Sequence, residues 1–401
     1  MIEGKWEKGW DAVVDAFAAN FADAGEQGAA LSIYRHGTAV VNIWGGTYTN
    51  VSAQIADAPW QQDTCVNIFS AGKGLVALCV LQLAAAGRLD LDAPVADYWP
   101  EFAAANKSAI SVRQVLCHRS GLSAFHDTLP SEHIYDWAAM CGAIEALTPW
   151  WQPGEAQGYS PFIFGWILGE LVRRVSGCDS FDSYFQRAVA QPLKADCFFG
   201  LDDRQLAKVA DVAPLKQLQS ARTCSGADSV ALGKIMKADP RGVTNRAFGN
   251  PLSLLTSTNS ALWRKAQIPA ANCHATAHGL ASVYGALGAD MQTDAATKLL
   301  PAEQRTLCWQ EQSAEQDKVL GLPLRFSNGF MLPAEREDCR MGRGLRAFGH
   351  PGAGGCLGFA DPDYSLGFGY VTSRMGQSLL VDQRAARLID AAYHIMENTD
   401  E

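Results

Sequence analysis

Ser70 and Lys73 stand three residues apart at the start of an almost continuous apolar run, Gly74 to Ala86. The run is rich in helix-forming residues, Ser70 occupies the position of an N-cap, and Gly87 that of a C-terminal cap. The pattern therefore predicts a buried helix that begins at Ser70. Residues three apart share one helical face, which would place the Lys73 amine beside the Ser70 hydroxyl. A serine hydroxyl needs a neighbouring base to become a nucleophile, and a desolvated lysine can be that base.

The S-x-x-K pattern is short and also fits a plain N-cap followed by a solvated lysine, so three further segments matter. Tyr159 lies in a turn-like stretch just before a strongly apolar helix predicted over residues 162–176. His350 ends a predicted strand and is followed by Pro351 and several glycines, which would let a ligand approach the backbone. The third segment, residues 116–122, reads as a short helix leading into a turn.

Composition indicates an ordinary globular enzyme with a small ligand. The chain has 401 residues, 48% hydrophobic and 19% charged, with a net charge of -9. The excess of acidic residues, without a Lys/Arg run, argues against nucleic acid and anionic membranes as partners. The first 20 residues do not resemble a signal peptide, and no apolar stretch is long enough to span a membrane. Eleven cysteines without a C-x-x-C pair favour reduced thiols and a cytoplasmic location.

The order of elements predicts an α/β (α+β) fold, in which an antiparallel sheet is built from both termini and flanked by helices. A first helix is predicted over residues 6–24, a hairpin over 29–44, and a turn-rich connection over 48–63. Short helices and loops follow to about residue 270. Strands are predicted again over residues 324–332, 347–350, 355–360 and 365–373. A closing helix is predicted over residues 381–396. Residues 1–62 and 271–401 would form the sheet domain and 63–270 an inserted helical domain, with the active site in the cleft between them.

At this point the sequence resembles the serine β-lactamase and penicillin-binding-protein superfamily, and most closely the family VIII carboxylesterases that share the group-C β-lactamase fold. The resemblance spans nearly the whole chain in order. The residues that carry it are Ser70-Ala71-Gly72-Lys73, Gly158-Tyr159-Ser160-Pro161 and His350-Pro351-Gly352. Three further stretches support it: Gly87 to Val95, His118 to Leu122 and Gly354 to Pro362. It implies that Ser70 is acylated and that Lys73 and Tyr159 share its proton. It also implies an oxyanion hole made by the backbone amides of Ser70 and Ala353.

Two departures from the lactamase pattern favour ester over β-lactam substrates. The lactamases and peptidases carry Y-x-N at the tyrosine, whereas the third position here is Pro161; the lactamases begin their third motif with Lys, whereas this chain has His350. A neutral imidazole would recognise a lactam carboxylate poorly and could instead donate a hydrogen bond near the oxyanion or to Tyr159. The further candidates for the substrate pocket are Gly352, Trp151 and Phe125, although Trp150 and Trp151 also fit simple core packing.

Other types of active site are disfavoured by the sequence, and several other functions stay open. The α/β-hydrolase motif G-x-S-x-G is absent from the sequence, and His118 and Ser120 are too close in sequence to face each other on a helix. His274 and His278 beside Cys273 could suggest a metal, but no third ligand stands at a convincing spacing. The sequence thus predicts a carboxylesterase for short-chain, small-molecule esters with no cofactor or metal. A β-lactamase or D-amino-acid peptidase, an acyltransferase, a non-catalytic sensor and a homo-oligomer stay open.

Overall fold

The computed structural model describes residues 1–213, 227–289 and 299–399. Its strands are β1 (Ile2–Trp6), β2 (Gly28–Arg35), β3 (Thr38–Asn50), β4 (Ile55–Pro59), β5 (Cys65–Asn67), β6 (Cys197–Phe199), β7 (Val209–Ala210), β8 (Cys273–Ala275), β9 (Ser313–Gln316), β10 (Pro323–Phe326), β11 (Met331–Leu332), β12 (Phe348–Pro351), β13 (Leu357–Asp361) and β14 (Leu366–Thr372).

The α-helices are α1 (Asp11–Asp23), α2 (Lys73–Ala85), α3 (Val112–Leu116), α4 (Trp137–Ala146), α5 (Ile163–Ser176), α6 (Phe181–Phe185), α7 (Gln191–Leu193), α8 (Asp203–Leu206), α9 (Ala227–Ala238), α10 (Val243–Gly249), α11 (Ser253–Thr256), α12 (Ala261–Lys265), α13 (Ala277–Gly288) and α14 (Gln383–Thr399). One turn of π-helix, Gln186–Ala190, joins α6 to α7. Short 3-10 turns punctuate the loops, and the turn Phe69–Gly72 leads directly into α2. Among the described helices, none combines the length and apolar character that a membrane span requires.

The larger sheet joins strands from both ends of the chain. Its order is β1-β3-β2-β14-β13-β12-β11-β10-β9, with β4 also paired to β3, and every neighbouring pair is antiparallel. Strand β2 pairs with β14 from Ala29 opposite Thr372 to Arg35 opposite Leu366. The sheet is therefore assembled from both termini, and the predicted fold class is confirmed.

Helices cover both faces of this sheet. Because side chains alternate along a strand, Leu31 and Ile33 of β2 face one way and join a core that includes Phe17 of α1 and Leu388 of α14. On the opposite face, Tyr34 packs against α13 at Gly285, where an added Cβ would lie 2.7 Å from the Tyr34 Cβ. Strand β2, an interior strand of the sheet, is thus covered on both sides.

Helix α2 belongs to a helical region that also contains a second, four-stranded sheet. Helix α2 packs against α5, and its apolar residues are almost all buried because helices surround it. The small sheet has the order β6-β8-β5-β7, and β5 runs into the turn that carries Ser70. The predicted domain limits near residues 62 and 270 stay a prediction; β8, from beyond residue 270, pairs with β5 and β6 of the inserted region.

Some local predictions are wrong. The first helix begins at Asp11, and residues 2–6 form β1, a polar edge strand whose pairing with β3 has no signature in its own residues. The segment 48–63 contains the end of β3 and strand β4, and residues 324–332 form the two strands β10 and β11 with a turn between them. The hairpin β2–β3 and the stop of α5 at Gly177, with φ of 71°, are confirmed. Residues 214–226, which belong to the stretch of short helices and loops predicted up to about residue 270, lie outside the described residues.

Candidate active site

Ser70 lies in a 3-10 turn rather than at the N-cap of α2. Helix α2 begins at Lys73, and the prediction that Ser70 caps it is wrong. The turn starts earlier because Phe69 has a φ of 49°, in the left-handed region that residues with a Cβ rarely adopt. Residues held in such conformations concentrate at functional sites. The Ser70 hydroxyl consequently points to two other side chains instead of back to the helix.

Lys73 is the first of these two side chains. Its Nζ lies 3.0 Å from Ser70 Oγ and donates to the carbonyl oxygens of Pro161 at 2.7 Å and Ala270 at 2.9 Å. The side chain is fully buried, and among the described ion pairs none involves Lys73. Burial without a carboxylate holds the pKa of Lys73 well below its usual value, which favours the neutral amine.

Tyr159 is the second. Its Oη lies 2.9 Å from Ser70 Oγ, and Lys73 Nζ lies 5.0 Å from the centre of its ring. Burial raises the pKa of Tyr159 above its ordinary value, so the phenol keeps its proton. The structure therefore brings together the three side chains that the sequence selected as catalytic candidates.

The Tyr159 loop is held in place by two residues that do not touch Ser70. The Tyr159 N–H donates to Asp317 Oδ2 at 2.8 Å, and Asp317 Oδ1 accepts from the backbone at the turn between β9 and β10. On the other side, His118 Nδ1 accepts from the Ser160 N–H at 3.1 Å, and the His118 carbonyl accepts from Gly158 N–H at 2.9 Å. These contacts fix the backbone on both sides of the phenol.

The end of β12 lies against the Ser70 turn. A Cβ added to Gly352 would lie 2.2 Å from the carbonyl oxygen of Ile68, so only glycine allows the two backbones to come this close. Because Ile68 is two residues before Ser70 and Gly352 precedes Ala353, this contact places both amides predicted for the oxyanion hole at the same junction.

His350 sits beside this junction, but its hydrogen bonding differs from the expectation. Its Nδ1 lies 2.8 Å from the Pro351 carbonyl, which can only accept, so Nδ1 carries the proton and Nε2 is an acceptor. Nε2 is buried and has no partner among the described residues, and no hydrogen bond joins it to Tyr159, whose ring centre is 5.9 Å away. Burial, helped by Lys73, lowers the pKa of His350 to about 3. The imidazole is neutral and cannot donate from Nε2 to Tyr159 or an oxyanion.

Comparison with known proteins identifies the family of this chain. The Beta-lactamase family matches residues 11–392. The esterase/beta-lactamase LipL of Mycobacterium tuberculosis is 30% identical over 390 residues, which cover 96% of this chain and 85% of LipL. The chain belongs to the beta-lactamase family. A family VIII carboxylesterase of known structure is 34% identical, with a TM-score of 0.85 and coverage of 98% of this chain and 100% of that one. A penicillin-binding protein homologue from Caulobacter crescentus is also 34% identical, with a TM-score of 0.86 and the same coverage.

Of the remaining pocket candidates, Trp151 lies against the Tyr159 loop and Phe125 lies in the core. Trp151 is half-buried, its ring lies against Gly158, and its Nε1 donates to the Ala156 carbonyl at 3.0 Å. Trp150 stacks on His126, with ring centres 4.2 Å apart. Phe125 is almost fully buried in the helical core. A role for Trp151 and Phe125 in binding the acyl group stays a prediction.

The two histidines considered for metal binding lie in different surroundings. His274 is fully buried in β8, and Nε2 of His278 lies 3.2 Å from the Tyr34 hydroxyl. In the part of the chain that the structure describes, no three His, Cys, Asp or Glu side chains are arranged to hold a metal ion.

The sequence reasoning missed the groups that support the site. Asp317 stands alone between Gln316 and Lys318, a context that carries no catalytic signature. The two carbonyl groups that bind Lys73, from Pro161 and Ala270, are backbone atoms with no sequence signal at all. His118 differs from these groups, because it belongs to the segment 116–122 that the sequence marks, and its Nδ1 accepts from the Ser160 N–H.

Proposed function

We propose that this protein is a carboxylesterase that cleaves short-chain carboxylic esters through an acyl-enzyme on Ser70. The observation that carries the proposal is the position of Ser70 Oγ, 3.0 Å from a buried lysine amine and 2.9 Å from a buried phenol. A nucleophile within hydrogen-bond reach of a base that is itself oriented by other groups is the arrangement nucleophilic catalysis requires.

Lys73 acts as the general base for the first step. A neutral amine has two N–H groups and one lone pair, and the carbonyls of Pro161 and Ala270 can only accept hydrogen bonds. Both N–H groups are therefore used on the carbonyls, and the lone pair is left for the Ser70 proton. After transfer, the ammonium has three donors for the same three oxygens, so the proton moves without rearrangement of the side chain.

Tyr159 passes the proton onward. When Ser70 Oγ bonds to the ester carbonyl carbon, the Ser70 proton moves to Lys73. Collapse of the tetrahedral intermediate breaks the bond to the alcohol oxygen, which leaves with a proton delivered through the Tyr159 hydroxyl from Lys73. In the second half, a water molecule gives a proton to the same pair, its oxygen bonds to the acyl carbon, and Ser70 Oγ is released with its proton restored.

The backbone amides of Ser70 and Ala353 stabilise the oxyanion in this proposal. The contact of Gly352 with Ile68 supports it because it brings the two segments together at the nucleophile. Hydrogen-bond donors aimed at the developing negative charge supply one of the largest contributions to acyl transfer.

Ester substrates are favoured over β-lactams because of His350. Its buried Nε2 presents a lone pair, and a carboxylate placed near it would meet an acceptor instead of a cation. Protonation is opposed, since the pKa of His350 is lowered to about 3. The name of LipL nevertheless couples esterase with beta-lactamase, so β-lactam or D-amino-acid peptide hydrolysis is the second candidate and belongs in the test.

The test combines substrate choice with the site of labelling. Purified protein is assayed on p-nitrophenyl esters of increasing acyl length and on nitrocefin, and then treated with a fluorophosphonate probe and analysed by peptide mass spectrometry. We expect highest activity on short acyl chains, nitrocefin slower by about 100-fold or more, and the adduct on the Ser70 peptide. Ser120→Ala is the matched control, because this buried serine hydroxyl accepts only from the Leu122 N–H among its described contacts; the variant should remain active while Ser70→Ala is inactive. Labelling elsewhere, or equal rates on nitrocefin and p-nitrophenyl butyrate, would refute the proposal.

An acyltransferase using the same acyl-enzyme is separated from a hydrolase by its acceptor. Increasing concentrations of a simple alcohol are added to the ester assay, and free acid and new ester are quantified. Free acid as the main product supports the hydrolase, whereas ester as the main product at low alcohol concentration would favour the transferase.

A further inference from the structure

An arginine from the C-terminal helix reaches the turn that follows β12. Arg384 lies in the first turn of α14 and is 4% exposed. Its Nη2 donates to the Gly354 carbonyl at 2.7 Å, and a Cβ added to Gly355 would lie 2.6 Å from the same nitrogen. The guanidinium therefore packs directly on two residues of the turn that also contains Ala353.

The guanidinium is itself held rigidly. Nη1 donates to Glu26 Oε2 at 3.0 Å, and Nε donates to Asp382 Oδ1 at 2.8 Å. Both terminal nitrogens also lie 3.2 Å from the Arg374 carbonyl. The Glu26 carboxylate is in turn bound by the hydroxyls of Tyr370 and Thr372 in β14. A planar, multiply bonded arginine of this kind keeps one orientation.

The geometry of the turn determines where the Ala353 N–H points. The Gly352 carbonyl, which belongs to the same peptide unit, accepts from the Gly355 N–H at 3.2 Å. In a trans peptide the N–H points away from the C=O, so the Ala353 N–H points out of the turn. Within the described ranges no backbone carbonyl accepts this N–H. The amide is left available for a ligand only while Gly355 stays in place.

We propose that Arg384 is a positioning residue for the oxyanion hole. By holding the Gly354 carbonyl and the Gly355 backbone, it keeps the Gly352–Ala353 peptide in the orientation that presents the Ala353 N–H to the oxyanion. Arg384 does not touch the substrate and acts through the turn. This inference rests on the proposed function, because it assigns the oxyanion hole to Ala353.

Arg384→Lys tests the inference with little loss of charge. One ammonium cannot reach Glu26, Asp382 and the Gly354 carbonyl together. The Gly354 carbonyl then keeps only its bond from the Gly376 N–H, and the Gly355 backbone loses the guanidinium packed on it, while the cluster keeps a cation. We expect kcat/KM on p-nitrophenyl butyrate to fall about 10-fold or more, since a misplaced oxyanion donor loses a large part of its effect. The inhibition constant of butylboronic acid, whose tetrahedral adduct on Ser70 places an oxygen in the oxyanion hole, should rise by the same factor.

Tyr393→Phe is the matched control. It removes a buried hydrogen bond to Asp361 from the same helix without touching the 352–355 turn. At a comparable loss of thermal stability, its kcat/KM and boronate affinity should stay within about 2-fold of wild type. Equal losses in both variants, or an Arg384→Lys enzyme with unchanged boronate affinity, would overturn the inference.

Asp382→Asn provides a second variant in case Arg384→Lys does not fold. It retains an acceptor oxygen but removes the charge that anchors Arg384 Nε, and we expect about a 3-fold loss in both readouts. If Arg384→Lys does not fold and a folded Asp382→Asn protein keeps the wild-type kcat/KM and boronate affinity, the inference is overturned. Failure of the proposed function is recognised separately, because wild-type protein would then lack ester turnover or Ser70 labelling, and the role of Arg384 would fall with it.

Discussion

Lys73 and Arg384 are both buried cationic residues, yet their surroundings differ in charge. Lys73 is surrounded by one hydroxyl and two carbonyl oxygens, and burial lowers its pKa. Arg384 meets the carboxylates of Glu26 and Asp382; burial alone would lower its pKa, but these negative charges outweigh it and raise the pKa further. The same fold thus keeps one cationic residue permanently charged and makes the other a proton acceptor.

The difference shows how a buried base is made. A carboxylate beside Lys73 would stabilise the ammonium and remove its ability to take a proton from Ser70. Carbonyl oxygens satisfy the N–H groups without adding a full charge. Carbonyl partners thus suit a buried nitrogen that accepts a proton, and carboxylate partners suit one that stays charged and anchors the fold. The following variants test this contrast.

The largest effect is expected when Lys73 is made permanently charged. Lys73→Arg puts a permanent cation where the wild type has a neutral amine, and a guanidinium cannot take the Ser70 proton. We therefore expect ester hydrolysis to fall about 1,000-fold or more, as far as in Lys73→Met. The measurement is kcat/KM on p-nitrophenyl butyrate, with the folded fraction checked by circular dichroism. More than a tenth of wild-type activity in folded Lys73→Arg would show that charge, and not proton transfer, is what Lys73 supplies.

The next largest effect concerns the shared proton. Because Lys73 and Tyr159 act on the same Ser70 proton, Tyr159→Phe should cost about 100-fold or more, and the double variant Lys73→Met/Tyr159→Phe should be little slower than the worse single variant. The losses should appear in kcat and leave KM nearly unchanged. A double variant slowed by the product of the two separate losses would contradict a common proton-transfer unit.

The contrast also predicts opposite changes in stability. Glu26→Gln removes a negative charge from the Arg384 cluster, and we expect it to lower the free energy of unfolding by about 3 kcal/mol. Lys73 loses its proton when the chain folds, which costs free energy, and Lys73→Met removes this cost. We expect the free energy of unfolding at pH 7 to rise by about 1 kcal/mol, the usual size of a single-residue effect. Urea unfolding at pH 7 measures both changes.

The pH dependence of the Lys73 effect follows from linkage. The folded-state pKa is lowered, so between it and the unfolded value near 10.4 the unfolded chain binds more protons, and wild-type stability rises with pH. The advantage of Lys73→Met should therefore shrink as the pH approaches 10. Equal differences at pH 7 and pH 10, or destabilisation by Lys73→Met at pH 7, would argue against a neutral buried amine.

The smallest effect is expected at His350. Replacing this neutral acceptor by lysine adds a cation near the junction, and His350→Lys should raise the ratio of nitrocefin to p-nitrophenyl butyrate turnover about 10-fold. Because the pKa of His350 is about 3, the wild-type ratio should show no transition between pH 5 and pH 8. An unchanged ratio in the variant would remove His350 from the account of substrate choice.

Sequence reasoning recovered the features that depend on local pattern. The apolar period and terminal glycine located α5, the alternating hairpin located β2 and β3, and the resemblance of short motifs selected Ser70, Lys73 and Tyr159. It failed where backbone geometry that the residue types do not reveal decides the outcome. Strand β1 exists only because β3 offers an edge, and the 3-10 turn at Ser70 depends on the unusual backbone of Phe69.

The chemistry of His350 was missed for the same reason. Its protonated nitrogen is fixed by the carbonyl of the next residue, an arrangement that depends on the side-chain rotamer and the course of the backbone at the end of β12. Likewise, Asp317 meets Tyr159 across 158 positions of sequence. Such contacts leave no mark on the residue types nearby, so composition and spacing could not reveal them.

The pairing of β2 with β14 has a consequence for biosynthesis. Ala29 meets Thr372, so a ribosome-bound chain has made most of its residues before the sheet can close. Until then β2 exposes one edge and the Ser70 turn lacks its contact with Gly352. We expect slow, late folding with a high demand for chaperones, because long-range pairing delays folding and leaves edges open to aggregation. Nascent chains stalled before residue 357 should bind no fluorophosphonate, although they already contain Ser70, Lys73 and Tyr159.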